Sequence, residues 1–409
     1  MWILKLAVRN LTRNKRRSLI TTTAIATGMA MMNFTICMQH GSYQDFIQRG
    51  IGSLSGHVVV QAQGYQEERE TEKMVTDSSA VVASLEDAFP QAKVVRRSFL
   101  GGLITSTSGS SAIGVNALEP DKTAEDHAIR SALIDGSWLE SDRDIVIGAR
   151  LASTLDVDLG DKLVFMTQVN DEMTSRLFRV KGVFKTGSAS QDGFLAVMTI
   201  PASQQLMEQP DGASQVALIL PNADGWEQAL QTSRARLTDL EAPVEVLSWQ
   251  ESMPELMSFI EMDRSSGEAI LFILVIIVAM GMFNTLLMSM MERTKEFGVL
   301  LSLGLRPAQL RQLILLEGAL LGALGVLAGW ILGVVLTWPM YEYGVDFSDM
   351  MGESMEMAGV VGSTVIHSEY NWSRMAMFSV AGFMVTLLSA LWPAWRVGKL
   401  QPVQALRHH

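Results

Sequence analysis

The sequence is poor in the groups that most enzyme chemistry needs. One cysteine, Cys37, stands in 409 residues, so no disulfide forms within the chain and no thiolate pair can hold a metal. His40, His57, His127 and His367 are scattered without a ligand-spaced partner, so surface roles outweigh a metal site. No G-x-x-x-x-G-K-[ST], no H-E-x-x-H and no G-x-S-x-G occurs, which argues against nucleotide hydrolysis, zinc proteolysis and a serine-hydrolase elbow in this chain. The apolar runs hold neither a Ser/His nor an Asp/Asp pair for intramembrane proteolysis. The expectation is a chain with no catalytic residue, no metal and no cofactor of its own.

Charge of one sign is also missing from particular places. The first 17 residues carry Lys5, Arg9, Arg13, Lys15, Arg16 and Arg17 and no acid. The stretch 338–373 carries Glu342, Asp346, Asp349, Glu353, Glu356 and Glu369 and no Lys or Arg. Four apolar runs, Leu19–Met38, Ala269–Met291, Leu313–Trp338 and Met375–Trp395, are each long enough at about 20 residues to cross a hydrocarbon core of about 30 Å. Arg293, Lys295, Arg306 and Arg311 lie between the second and third, and Arg396, Lys399 and Arg407 follow the fourth. The positive-inside rule then puts both termini and the 292–312 segment in the cytoplasm, and residues 41–266 and 339–373 outside.

The fold class that follows is a membrane protein with four transmembrane α-helices and a large α+β extracytoplasmic domain inserted between helices 1 and 2. Its expected segments are a cytoplasmic amphipathic stretch 1–17, spans 18–40, 267–291, 313–338 and 374–396, the outer domain 41–266, a cytoplasmic connector 292–312, an outer loop 339–373 and a tail 397–409. Span 1 has a signal-like basic start, but its apolar run is too long and no cleavage site follows, so it reads as a retained anchor. Trp2, Ile3, Leu6 and Leu11 set against Lys5, Arg9, Arg13 and Arg16 suit a helix on the inner leaflet or the start of span 1. The net charge of −11 is concentrated outside: residues 41–266 carry −15 and the remainder +4. That argues against nucleic acid as a partner and leaves a solvated surface or an acidic docking face.

Within the outer block, alternation predicts strands at His57–Gln63, Phe194–Ile200, Ser214–Leu220 and Val244–Leu247, with a helix at Ala223–Leu237 completing a β-α-β unit. Hairpins are expected at Gly101–Thr107 with Ala112–Leu118 and at Lys162–Val169 with Ser175–Phe184, the second turning at Asn170-Asp171-Glu172. A short strand at Asp144–Gly148 leads into a helix at Ala149–Leu155. One or two subdomains fit this pattern.

No proline interrupts 254–291, so one helix there would reach about 57 Å and stand as a stalk, with Arg264 and Glu268 paired at i,i+4. A bend near Ser265-Ser266-Gly267 is the alternative. Gly318, Gly322, Gly325, Gly329 and Gly333 form a smooth helix-packing stripe on span 3, or less plausibly a substrate groove. Glu317 is an acid near the cytoplasmic end of the same span, either functional or snorkelling toward Arg311. Between spans 2 and 3, Glu292, Arg293, Lys295 and Glu296 precede an apolar group, Phe297, Val299, Leu300 and Leu301, and Gly304 with Pro307 stops the helix. Such an element is either a plain connection or one whose Phe297 and leucines insert into a soluble partner.

These residues also carry a resemblance. Asn284-Thr285-Leu286, Met288 to Arg293, Glu296-Phe297-Gly298, Leu303-Gly304, Glu317-Gly318, Pro393-Ala394-Trp395-Arg396 and Pro402 to Arg407 resemble the signature of the MacB/FtsX-type (type VII) ABC transporter permeases. Ala7 to Leu11 and Arg13 to Arg17 fit as well. Ser55 to Val58, Gly136 to Leu139, Ile147 to Ala152, Leu159 to Lys162 and Tyr343 to Ser348 are similar to the lipoprotein-releasing LolC/LolE branch.

The resemblance implies an inner-membrane permease, paired with an identical or homologous second permease and driven by a cytoplasmic ABC ATPase dimer that binds ATP and Mg. It implies an ATPase-coupling helix holding Glu292, Arg293, Lys295, Glu296, Phe297, Gly298, Leu300, Leu301 and Gly304. It implies a cargo pocket formed by spans 1 and 2 of the two permeases, to which Met29, Met32, Phe34, Ile36, Met280 and Phe283 correspond by position, with ordinary helix packing or lipid contact as the competing reading. The function so implied is mechanotransmission: ATP-driven motion expels a lipoprotein or other lipid-linked envelope cargo, with a periplasmic chaperone or adaptor as a further partner. Efflux through an outer-membrane duct and activation of a cell-wall hydrolase are the other readings.

Overall fold

Apolar runs this long, with Glu317 their single charge, form helices in a low-dielectric setting, because each amide must then be satisfied within its own segment. The computed structural model describes residues 2–13, 15–67, 73–123, 127–222, 225–238, 243–351 and 355–399. Asn14, Ala223, Asp224, Glu353 and the motif Pro402 to Arg407 lie outside the described residues. Two compact units divide the chain: 1–43, 261–345 and 365–409 form one, and 44–260 with 346–364 the other.

The first unit contains the four helices long and apolar enough to cross a membrane. They belong to the helices Lys15–Ser53, Pro254–Glu292, Pro307–Glu342 and Trp372–Val397, named here the first to fourth helix. All four run past the apolar stretches that predict them, the first and second by the greatest length. No break occurs at Ser265-Ser266-Gly267: the two hydroxyls bond back to the Glu261 and Met262 carbonyls at 2.8 and 2.9 Å, and the helix continues. Arg264 meets Glu268 at 3.4 Å, and Glu268 also accepts from Arg374 at 2.7 Å.

The five glycines of the third helix are all buried, and they divide between two neighbours. A methyl group added at Gly318 would lie 2.8 Å from Ala390 of the fourth helix, and one at Gly325 would lie 2.7 Å from Ile25 of the first. Outward faces stay apolar: Phe272, Ile277, Leu327 and Val380 are exposed, as lipid-facing residues must be. Aromatic rings gather at both ends of the fourth helix. Tyr370 stacks on Trp372 at one end, and Arg396 lies over Trp392 at the other. Twenty residues at about 1.5 Å each separate the two tryptophans by about 30 Å, the thickness of a hydrocarbon core.

The second unit is built on a ten-stranded sheet. Its strands are β1 (Val58–Ala62), β2 (Lys93–Thr105), β3 (Ser110–Leu118), β4 (Leu133–Gly136), β5 (Asp144–Gly148), β6 (Lys162–Val169), β7 (Glu172–Phe184), β8 (Leu195–Thr199), β9 (Gln215–Ile219) and β10 (Val244–Ser248). Pairing runs β2–β3–β8–β5–β7–β6 and returns to β2, closing a ring around a core that includes Ile104, Phe165, Phe178 and Ile145. The strand β2 is shared: Lys93–Arg97 pair with β9 and Ser98–Thr105 with β3. Beyond β9 lie β1 and β10, and helices Ser78–Ala88 and Trp226–Leu237 cover this wing with a second core around Val58, Val81, Leu85 and Val216.

Both predicted hairpins form. Asn170 and Asp171, both at positive φ, make the two-residue turn of the second, so its returning strand starts at Glu172 rather than Ser175. In the β-α-β unit, β1 is inserted between β9 and β10, so the two strands joined by the helix are not neighbours. Residues 346–364 also belong to this unit. The Ser188 and Ser190 hydroxyls donate to the Glu356 carboxylate, and the Ser363 amide donates to Asp45 at 3.0 Å.

Candidate functional site

The charged connector between the second and third helices is the place where sequence and geometry converge. Only Arg293 separates the second helix from the connector helix Thr294–Ser302. That helix ends in a Schellman closure: the Leu305 amide reaches the Leu300 carbonyl at 3.1 Å, and the Gly304 amide reaches Leu301 at 3.1 Å. Gly304 stands at φ +93°, a conformation that only glycine adopts freely, so the turn into Pro307 depends on it.

The two faces of this helix have opposite fates. Phe297, 1% exposed, and Gly298 point inward. Phe297 packs in a cluster with Ala7, Met290, Leu310, Leu313, Ile314 and Ala394, with Leu300 and Leu301 half-buried at its edge. This corrects the expectation that Phe297 and the leucines insert into a soluble partner: they fill the chain's own core. On the other face Glu292, Lys295, Glu296, Val299 and Leu303 are exposed, Leu303 at 79%.

Behind the helix lies a buried ion pair. Arg293 donates through Nη1 to both carboxylate oxygens of Glu317, at 3.2 and 3.0 Å, and each side chain is over nine-tenths buried. Asn10 of the amphipathic helix Trp2–Arg13 donates to Glu317 at 2.6 Å. Through Nε, Arg293 also holds Glu296 at 3.0 Å, while its guanidinium stands 5.1 Å from the Phe297 ring centre. Arg13 donates to the other oxygen of Glu296. Burial alone would raise the Glu296 carboxyl, but the hydrogen bonds and charges of Arg293 and Arg13 outweigh it and hold it below the ordinary glutamate range.

The network therefore ties three helices and the connector at one point, through Asn10, Arg293, Glu296 and Glu317. The expected partner of Glu317 was Arg311, and the structure replaces it with Arg293. The signal was present: residues 311 and 317 are six apart, about 240° around a helix, and so share no face. Removing either member of a buried pair leaves an unpaired charge and costs about 3–5 kcal/mol. Chemically the site can bear load and orient a surface.

Of the six residues expected around a cargo pocket shared by two permeases, three lie together within this chain's helix core. Met29, Met32 and Ile36 are buried among the long helices with Leu271 and Met375. Phe34 is half-buried, Phe283 packs on Trp392 at 5.5 Å, and Met280 is 66% exposed. The first helix turns Met29 and Met32 inward and Met31 outward, and its Gly28 lies close against Val278 of the second helix. Cys37 is buried beside the Met375 sulfur at 3.5 Å. Among the described residues no group of His, Cys, Asp or Glu could hold a metal.

Residues 268–402 match the FtsX-like permease C-terminal family, and residues 18–235 match the MacB-like periplasmic core domain. The lipoprotein-releasing system transmembrane protein LolC of Xylella fastidiosa strain 9a5c is 28% identical over 274 residues, spanning 64% of this chain and 64% of the relative. The protein of the same name from strain Temecula1 is 25% identical over 407 residues, 96% of this chain and 94% of the relative. The lipoprotein-releasing system transmembrane protein LolE of Haemophilus influenzae is 23% identical over 299 residues, 71% of each chain.

Proposed function

The chain belongs to the FtsX-like permeases that carry a MacB-like periplasmic core domain, and on that premise we propose that it is the membrane subunit through which a separate ABC ATPase drives release of a lipoprotein from the inner membrane. One observation carries the proposal. The connector presents an outward face, Lys295, Val299 and Leu303, on a helix that its own chain braces from behind through Phe297 and the Arg293–Glu317 pair. A push on that face is delivered, across the single residue Arg293, to a helix of 39 residues and about 58 Å.

In this reading ATP and Mg stay on the ATPase, and a second permease, identical or homologous, completes the complex. Both termini and the connector are cytoplasmic, and the MacB-like unit, inserted between helices 1 and 2, is periplasmic, a placement that the charge distribution supports. Release is mechanical: this chain supplies shape and stiffness, and the hydrolysis step occurs elsewhere. An acyl chain would meet the outward side of the second helix, where Phe272, Ile277 and Met280 are exposed, rather than the buried methionines of the first.

The test is reconstitution of the full permease and its ATPase in liposomes holding a fluorescently acylated lipoprotein, with a soluble acceptor outside. ATP-dependent transfer that needs both subunits supports the proposal. The MacB-like match supports a second reading, export through an outer-membrane duct. No lipoprotein transfer, together with ATP-dependent binding of a trimeric duct, would favour that reading instead.

A further inference from the structure

The first helix ends and the second begins beside the same pair of strands. Arg97 of β2 is 3% exposed, and its Nη1 and Nη2 donate to the carbonyls of Ser55 and Gly52. Gly52 lies in the last turn of the first helix, where carbonyls have no helical N–H to accept from. Among the described residues no carboxylate pairs with Arg97; two carbonyls at the negative end of a helix dipole hold it instead. Burial lowers its ordinary value to about 10, which still leaves it charged at neutral pH.

Ser55 is joined in turn to the approach of the second helix. Its hydroxyl meets the Ser252 hydroxyl at 2.5 Å, with both residues buried. Ser252 closes the short helix Trp249–Ser252, which a Ser248–Glu251 capping box fixes at its start, and Pro254 opens the second helix two residues later. The strand β1 is locked alongside: the His57 amide donates to Leu218 at 2.8 Å, and the Trp249 amide donates to the His57 carbonyl at 3.2 Å. A buried guanidinium bound only to carbonyls is a costly way to hold a loop, since an apolar residue of similar volume would avoid its desolvation. It is an effective way to hold two helix ends against one strand.

We propose that Arg97 and the Ser55–Ser252 contact form a clamp that fixes the end of the first helix and the start of the second to β1 and β2, so that displacement of either helix moves the sheet with it. This rests on the reading above, that the complex works by transmitted motion. Arg97 is thus a positioning residue, acting on the first helix through the end it grips and on the second through Ser55 and Ser252.

The experiment is hydrogen–deuterium exchange on the full permease–ATPase complex in nanodiscs, compared with and without vanadate-trapped nucleotide. In the unmodified complex, trapping should change exchange in the second helix and in β1 and β2. Arg97→Lys, which keeps the charge but not the fork, should lose the change in β1 and β2 while keeping it in the second helix. Joining Ser55→Cys to Ser252→Cys by a disulfide in that background should restore the strand response, and reduction should remove it again. If Arg97→Lys does not fold, Ser252→Ala takes its place. A strand response that survives both substitutions overturns the clamp alone. No response anywhere in the sheet of the unmodified complex overturns the transmitted-motion reading, and the clamp with it.

Discussion

The inward and outward faces of the connector helix are two regions of one nine-residue element, and they have little in common. Inward, Phe297 is enclosed and the adjoining Arg293 is bonded to Glu317 and Glu296. Outward, Val299 and Leu303 are apolar and exposed between charged neighbours. The difference teaches that hydrophobicity in a connector can mark two separate jobs, bracing on the inward face and, in the proposed reading, docking on the outward one. Only the helical phase tells which residue does which.

The sharpest way to break the comparison is on the inward face. Phe297→Asp should unfold the connector end of the bundle, because about 3–5 kcal/mol of aromatic packing is lost and a carboxylate is left without partners. A large fall in thermal midpoint with new protease cuts near 294–310 is expected; an unchanged midpoint would mean the residue is not enclosed. Glu317→Met should come next, costing up to about 3–5 kcal/mol, because Arg293 is then left with Glu296 alone. Adding Arg293→Met should recover much of that loss, since the pair then becomes apolar together, and a further loss in the double variant would contradict the pairing.

The smallest effect belongs to the exposed Arg13–Glu296 contact, with side chains 56% and 46% exposed. Arg13→Ala should cost about 0–1 kcal/mol. Because the Glu296 carboxyl is depressed in the folded chain, its contribution is present above the ordinary glutamate value and is lost as pH falls through the depressed one. Protection of the Trp2–Arg13 amides, taken relative to their intrinsic exchange rates at each pH, should therefore fall on acidification in the unmodified chain and less so in Arg13→Ala. Equal pH dependence in both would remove Glu296 from the account.

Much of this was legible because it is local. The strand Asp144–Gly148 and the helix Ala149–Leu155 fall where their pattern puts them, and the long helices follow from length and apolarity. What was not legible depends on distant partners. The early part of β2 was hidden because Arg96 and Arg97 interrupt its alternation; Arg97 is buried by a helix end that precedes it by more than 40 residues. Residues 346–364 read as a free acidic loop, since the serines that hold Glu356 lie more than 160 residues earlier. Phe297 read correctly as apolar, yet composition alone gave no way to choose between its own core and a partner's. Glu317 advertised a need for a cation, and helical phase could have excluded Arg311 but could not by itself select Arg293.

The central claim is that the outward face of the connector receives the ATPase. It is tested most directly by co-purification of the ATPase with a Val299→Asp plus Leu303→Asp permease, alongside the permease's thermal midpoint. Both side chains are exposed, so the midpoint should stay within the roughly 0.5 kcal/mol typical of surface changes while the ATPase is lost. Retention of the ATPase by a normally folded double variant would contradict the claim.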